Sequence, residues 1–198
     1  MAVDSPTGAR MRSCAVRMAR AALTAWIAAS SSACVPSSVA ESLTARTPLK
    51  KGPVALFSYP ATDGSRVDGA RMRGRFTVLL FITTFDSASQ LMARQLNQIL
   101  HTHVPRINAA AIVLEDSNYA TFAQVFHDSL DLDYPVALAD AATLRGESSF
   151  GPIRRVPTLV VLSPRAERLW AREGFVSPAF IEEALDSMAS GYEPSKAP

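Results

Sequence analysis

Few side chains in this sequence can do covalent chemistry, and they are unevenly placed. The two cysteines, Cys14 and Cys34, both precede the stretch that carries strand and helix patterns. A thiolate ligates zinc, closes disulfides and attacks peroxides, so from residue 53 onward an internal disulfide, a cysteine zinc site and a self-contained thiol cycle are excluded. The string Asp86-Ser87-Ala88-Ser89 brings a carboxylate and two hydroxyls together. A serine nucleophile needs a base, and none stands within local sequence reach. Asp86 reads first as a helix N-cap that accepts the free amides of Ala88 and Ser89 and meets the positive end of the helix dipole, together worth about 1 kcal/mol. A catalytic or ligand-binding carboxylate is the other reading.

The three histidines are His101, His103 and His127. His101-x-His103 lacks a clear third ligand, which favours surface or capping roles over a metal. Asp131 and Asp133 have neither the spacing nor the glycine of a calcium loop and read as a solvated turn. Arg154-Arg155 is either simply exposed or suited to an acidic group such as a peptide carboxylate. No catalytic residue, metal or cofactor is expected on these grounds.

These residues must be positioned by elements that alternate in type. Val54 to Tyr59 is a short strand candidate, Thr62 to Ser65 carries turn residues and Gly69 to Gly74 is a loop. Phe76 to Thr83 is continuously apolar, as a central strand covered on both faces should be. From Ser87 the period changes, and Ala88, Leu91, Met92, Leu96, Ile99 and Leu100 form one face of an amphipathic helix. Ala109 to Leu114 is a second buried strand. Tyr119, Phe122, Ala123 and Phe126 mark a second helix, Pro135 to Ala139 a short strand, and Ala141 to Leu144 a brief helix. Thr158 to Leu162 and Leu169 to Phe175 form a strand pair, and Ser177-Pro178 opens a last helix with Ser as N-cap. Phe180, Ile181, Ala184, Leu185 and Met188 give that helix an apolar face. The order implies an α/β sandwich with a mixed sheet.

The N-terminus reads as an export signal. Arg10, Arg12, Arg17 and Arg20 against Asp4 give residues 1–34 a charge of +3, so the rest of the chain is near −1 of the +2 total. The isoelectric point of about 8.7 therefore does not point to nucleic acid. The apolar run Ala21 to Ala29 is too short to span a bilayer, which takes about 20 residues. Ser31-Ser32-Ala33-Cys34 resembles the lipobox of bacterial lipoproteins, in which Cys34 would take the lipid and membrane attachment would follow, although Ser31 stands where that box usually has Leu. A plain secretory signal cut near Ala33, or no signal at all, are the alternatives. The organisation is a leader at 1–34, a Ser-, Ala- and Pro-rich tether at 35–52, one domain at 53–190 and a tail at 191–198.

Gly74-Arg75-Phe76-Thr77-Val78-Leu79-Leu80-Phe81, Val156-Pro157-Thr158-Leu159-Val160-Val161-Leu162 and Glu173-Gly174-Phe175 together resemble the thioredoxin-like superfamily. They look most like its exported, tethered reductases of the TlpA and ResA type and the neighbouring redoxin or peroxiredoxin-like group. The resemblance covers about Phe57 to Met188. It implies a thioredoxin-like sandwich with a central mixed sheet, flanking helices and an N-terminal β extension, and a cis bond at Pro157. It also implies that Phe85-Asp86-Ser87-Ala88-Ser89 stands where the family has Trp-Cys-x-x-Cys, with Asp86 and Ser89 at the cysteine positions and Met92 where relatives often carry Glu. Neither Asp nor Ser forms a disulfide, and peroxidase chemistry needs the same missing thiol.

The expectation is a cell-envelope or periplasmic binding module, otherwise secreted. It would hold an extended peptide or an envelope protein between the degenerate positions Phe85, Asp86 and Ser89 and the loop Arg155, Val156 and Pro157. A divergent thiol-disulfide oxidoreductase or antioxidant protein is the rival. A metal-handling protein like the copper chaperones of this fold lacks the Cys-x-x-x-Cys ligands.

Overall fold

The computed structural model describes residues 52–192. The leader, Cys34 and most of the tether lie outside the described residues. In chain order the elements are β1 (Ser58–Pro60), β2 (Arg66–Asp68), β3 (Thr77–Ile82), α1 (Ser87–Thr102), β4 (Asn108–Val113) and a single 3-10 turn (Ser117–Tyr119). They continue with α2 (Ala120–Leu130), β5 (Val136–Leu138), α3 (Ala141–Leu144), β6 (Thr158–Leu162), β7 (Arg168–Glu173) and α4 (Pro178–Gly191).

Five strands form one sheet in the order β5-β4-β3-β6-β7, while β1 and β2 make a separate hairpin. β3, β4 and β5 are parallel, and β6 and β7 are each antiparallel to the preceding strand in that order. Every residue of β3 is buried because both of its faces are covered. Val78, Leu80 and Ile82 pack with Met92 and Leu96 of α1, Phe126 of α2 and Ile181 and Leu185 of α4. Leu79 and Phe81 point the other way, to Tyr59, Val67 and Phe150. A strand's side chains alternate between faces, so a strand covered twice has no polar position, which explains the unbroken apolar run.

Three expectations about elements are corrected. The first strand is not Val54 to Tyr59: pairing is confined to Ser58–Pro60, and Val54 instead bridges to Glu167. Between them, the Leu56 amide donates to the Ser149 hydroxyl and the Leu56 carbonyl accepts from it, which removes Leu56 from any ladder. On α1 the buried stripe is Ser89, Met92, Ala93, Leu96 and Ile99, with Leu91 exposed. Small side chains at 89 and 93 flank Met92 and let the helix lie close to the sheet. At the C-terminus, α4 runs to Gly191 and Tyr192 meets Phe76 edge-on at 5.5 Å, so ordered packing passes the boundary placed at 190.

The last helix begins as its sequence requires, with the Ser177 side chain accepting the Phe180 amide and Pro178 in the first turn. The Val156-Pro157 bond is cis, and so is Val104-Pro105, which no sequence feature had marked.

Candidate functional site

β3 ends at Ile82, level with Val113 of β4, so Thr84 and Glu115 leave the sheet side by side. The Glu115 carboxylate accepts from the Thr84 amide at 2.6 Å and from the Thr84 hydroxyl at 3.0 and 2.8 Å. The Thr84 carbonyl accepts from the Gln90 side chain at 3.3 Å. Thr84 is buried and held from both flanks, and it fixes the direction in which Phe85 and Asp86 emerge.

Asp86 caps α1. One carboxylate oxygen accepts from the Ser89 amide at 2.8 Å and the Ser89 hydroxyl at 2.7 Å, and the other accepts from the Ala88 amide at 3.3 Å. Partial burial pushes this carboxyl up, but the Ser89 hydroxyl and the amides of Ser89 and Ala88 together outweigh it and hold the group below the ordinary Asp value. The carboxylate is thus ionised, saturated by its own helix and a weak base. Ser89 is 0% exposed and spends its proton on Asp86, so its oxygen cannot reach a substrate. Nothing here activates a nucleophile.

Phe85 points outward, 65% exposed, and its ring touches Phe122 at 5.4 Å and Tyr119 at 6.1 Å between centroids. Tyr119 and Phe122 stand with Ala123 and Phe126 among the residues that marked the second helix, Tyr119 in the 3-10 turn that precedes it. Only Ala123 and Phe126 are buried there, and the two aromatic rings stay exposed beside Phe85. Phe85 and Phe122, with Thr84, Gln90, Val125 and Ser129, border a shallow cavity of about 130 Å³.

On the opposite flank of β3, Phe81 opposes Thr158, so Pro157 stands level with Ile82 at the edge from which Asp86 emerges. The Arg155 carbonyl accepts from the Thr158 hydroxyl at 2.6 Å and the Pro157 carbonyl from the Gly174 amide at 2.7 Å. Val156, between them, hydrogen-bonds through neither its N–H nor its C=O to any described residue. Arg154 and Arg155 are exposed and have no ion-pair partner among the described residues.

No protein-family model and no curated relative matches the sequence. Solved structures do resemble the domain. A DsbF homologue from Corynebacterium diphtheriae superposes with a TM-score of 0.61 at 17% identity, covering 70% of this chain and 87% of that one. A putative thiol:disulfide interchange protein DsbE from Chlorobium tepidum gives 0.58 at 20% identity, over 72% and 98% of the two chains. The exposed lipoprotein thioredoxin of Streptococcus pneumoniae gives 0.55 at 17%, over 66% and 97%. The fold is thioredoxin-like. The five-strand mixed sheet, its helices and the N-terminal hairpin are the architecture that the resemblance implied.

Within this thioredoxin-like domain the predicted residues separate into two groups. Phe85, Asp86 and Ser89 share the α1 N-terminus, and Arg155, Val156 and Pro157 share the same edge of the sheet. The histidines do not join them: His101 bonds Asp133 at 2.8 Å, buried His103 stands 4.0 Å from Asp186, and His127 bonds Asp128 at 2.9 Å. Asp131 and Asp133 are exposed, as a solvated turn should be, and Asp133 is in addition tied to α1 through His101 and Asn97. Among the described residues no three His, Cys, Asp or Glu side chains converge as metal ligands. Sequence reasoning missed Thr84, Glu115, Tyr119 and Phe122. The signal for the last two was the pair of aromatic residues at the start of the second helix, Tyr119 in the turn before it and Phe122 in its first turn.

Proposed function

We propose that this chain is a cell-envelope thioredoxin-like protein without redox-active cysteines, and that it binds an extended segment of a partner protein across the Asp86 edge. The observation that carries the reading is the free backbone of Val156 at the same edge of the sheet as exposed Phe85. An unpaired N–H and C=O at a strand entrance is a template for a peptide in extended conformation, and the aromatic surface supplies a place for its side chains. Arg155 adds a preference for acidic segments.

Asp86 and Ser89 take the places of the family's two thiols in this reading. Their internal hydrogen bonds close the helix terminus that lowers a thiol's pKa in the reductases. In this reading the leader-like N-terminus exports the domain and Cys34 takes a lipid anchor, which the likeness to the Streptococcus pneumoniae protein, itself an exposed lipoprotein, supports. A divergent thiol-disulfide oxidoreductase is the rival reading, favoured by the interchange proteins that share the fold. It is opposed by the positions of Cys14 and Cys34, both far upstream of β3 in sequence.

Two measurements on the full chain test the reading. With Cys14→Ser and Cys34→Ser in place, titration with extended acidic peptides should shift the amide resonances of Phe85, Asp86, Arg155 and Val156, and Arg155→Ala should weaken the effect. Insulin reduction and peroxide consumption should stay at background with or without the two cysteines. Turnover above background, or shifts confined to the His101 end, would overturn it.

A further inference from the structure

Thr77 at the start of β3 opposes both Asn108 at the start of β4 and Leu162 at the end of β6. The residues just before Thr77 and Asn108 and just after Leu162 therefore gather at one edge of the sheet, the edge opposite Asp86. They bring Arg73 and Arg75, Arg106, and Arg165 together. The loops are tied to one another: the Gly74 amide, between two of these arginines, donates to the Pro164 carbonyl at 2.9 Å, and the Asn108 side chain donates to the Met72 carbonyl at 2.9 Å. Arg73, Arg75 and Arg106 are exposed, and no carboxylate pairs with them among the described residues.

Among the acids near this edge, Asp186 stands 4.0 Å from His103. Asp68 pairs with Arg71 at 3.4 Å, and Glu167 accepts from the Ser163 hydroxyl at 3.2 Å. Asp131 and Asp133 lie on the β5 side of this edge, where Asp133 is bonded by His101 and Asn97, while Arg73, Arg75 and Arg165 stand on the β3 and β6 side and Arg106 just before β4. Beside Arg106 stands Val104, an apolar side chain that is 82% exposed on the tip of its loop. The chain also enters the fold here: the Gly52 amide donates to the Arg168 carbonyl at 3.0 Å and the Ala55 amide to the Ala166 carbonyl at 2.8 Å. Lys50-Lys51 immediately precede Gly52 in the sequence.

We propose that this arginine edge docks on an anionic phospholipid surface. Guanidinium groups pair with lipid phosphates, and each basic residue near such a surface adds attraction that fades within a Debye length. An exposed Val-Pro tip among arginines suits an interface with an apolar layer beneath its phosphates, which a nucleic-acid backbone does not offer. The entry of the chain at this edge matches a domain held close to a membrane from its N-terminal side. Docked this way, the Asp86 edge faces away from the lipid, a consequence that rests on the proposed peptide site. The docking itself does not.

The test uses the full chain with Cys14→Ser and Cys34→Ser, so that no lipid is attached. It compares vesicles of phosphatidylglycerol and phosphatidylcholine with vesicles of phosphatidylcholine alone, by co-sedimentation and by amide hydrogen exchange. We expect salt-sensitive binding to the anionic vesicles only, with protection of residues 72–75 and 104–106. Combined Arg73→Gln, Arg75→Gln and Arg106→Gln should weaken it roughly ten-fold or more at low salt. Combined Arg94→Gln, Arg145→Gln and Arg172→Gln, of equal charge and elsewhere on the domain, should leave it unchanged. Because the leader is constant, differences between these variants report on the folded face alone. Equal loss in both triple variants, protection centred on Phe85 and Phe122, or the same protection from inorganic phosphate or duplex DNA would overturn the assignment. Absence of a lipid on Cys34 in the native protein would count against the anchor and not against this surface.

Discussion

Glu115 receives the amide and the hydroxyl of Thr84 on one carboxylate, extending the parallel pairing of β3 and β4 past the end of its backbone ladder. Removing it strands a buried donor pair whose water has already been excluded. Glu115→Ala should therefore cost about 1 to 3 kcal/mol in urea unfolding. Glu115→Gln, which keeps one acceptor oxygen, should cost less. If Glu115→Ala left the unfolding midpoint unchanged, the clasp would contribute nothing to how Phe85 and Asp86 are held.

Asp86 should show in the acid limb of the stability profile. Its carboxyl titrates lower in the folded chain than the ordinary Asp value of 3.8 that it takes when unfolded. The unfolded state binds the proton more readily, so the stabilisation is fully present above about pH 4 and is lost as pH falls through the folded value. Asp86→Ala should cost about 2 kcal/mol at neutral pH, from the lost cap and the orphaned Ser89 hydroxyl. The wild-type and variant curves should converge in acid. A constant gap down to low pH would show that the ionised carboxylate is not what stabilises α1.

Much of this architecture was legible before any coordinates. β6 and the start of α4 lie where the pattern put them, because Thr158 to Leu162 is buried on both faces and Ser177-Pro178 fits only a helix start. The cap at Asp86 was legible for the same local reason. The Thr84–Glu115 clasp was not, since it joins residues 31 apart in sequence through a parallel pairing that no short-range pattern encodes. The exposure of Tyr119 and Phe122 was also hidden. Helical spacing says which side chains share a face, but not which of them neighbouring elements cover. The free backbone of Val156 depends on which neighbours Thr158 and Gly174 choose, and that is a tertiary fact.

The aromatic surface should matter to binding and little to folding. Phe122→Ala removes a half-exposed ring whose partners, Phe85 and Tyr119, are also exposed, so unfolding should shift by less than about 1 kcal/mol. Peptide affinity, read from the resonance shifts at Phe85 and Val156, should fall about 5- to 10-fold, the range expected when one aromatic contact is lost. A large stability loss with unchanged affinity would reassign the cluster to packing.

The proposed equivalence of Asp86 and Ser89 to a thiol pair is open to a direct chemical test. Their backbones stand three residues apart in the first turn of α1, with side chains already within hydrogen-bonding distance at 2.7 Å. Cysteines introduced by Asp86→Cys with Ser89→Cys, in a chain where Cys14 and Cys34 are serine, should close a disulfide under mild oxidation. The reaction is read by loss of thiol titration and by a mass two hydrogens lower. The reduced form should expose one reactive thiolate at neutral pH, because the freed amides of Ala88 and residue 89 would then favour a negative sulfur at position 86 as they now favour the carboxylate. That outcome would mean that the scaffold retains the electrostatics of a thiol site and that substitution of the two side chains alone removed the chemistry. Two thiols that stay free, or that pair between molecules, would place the family's active-site position elsewhere on this chain.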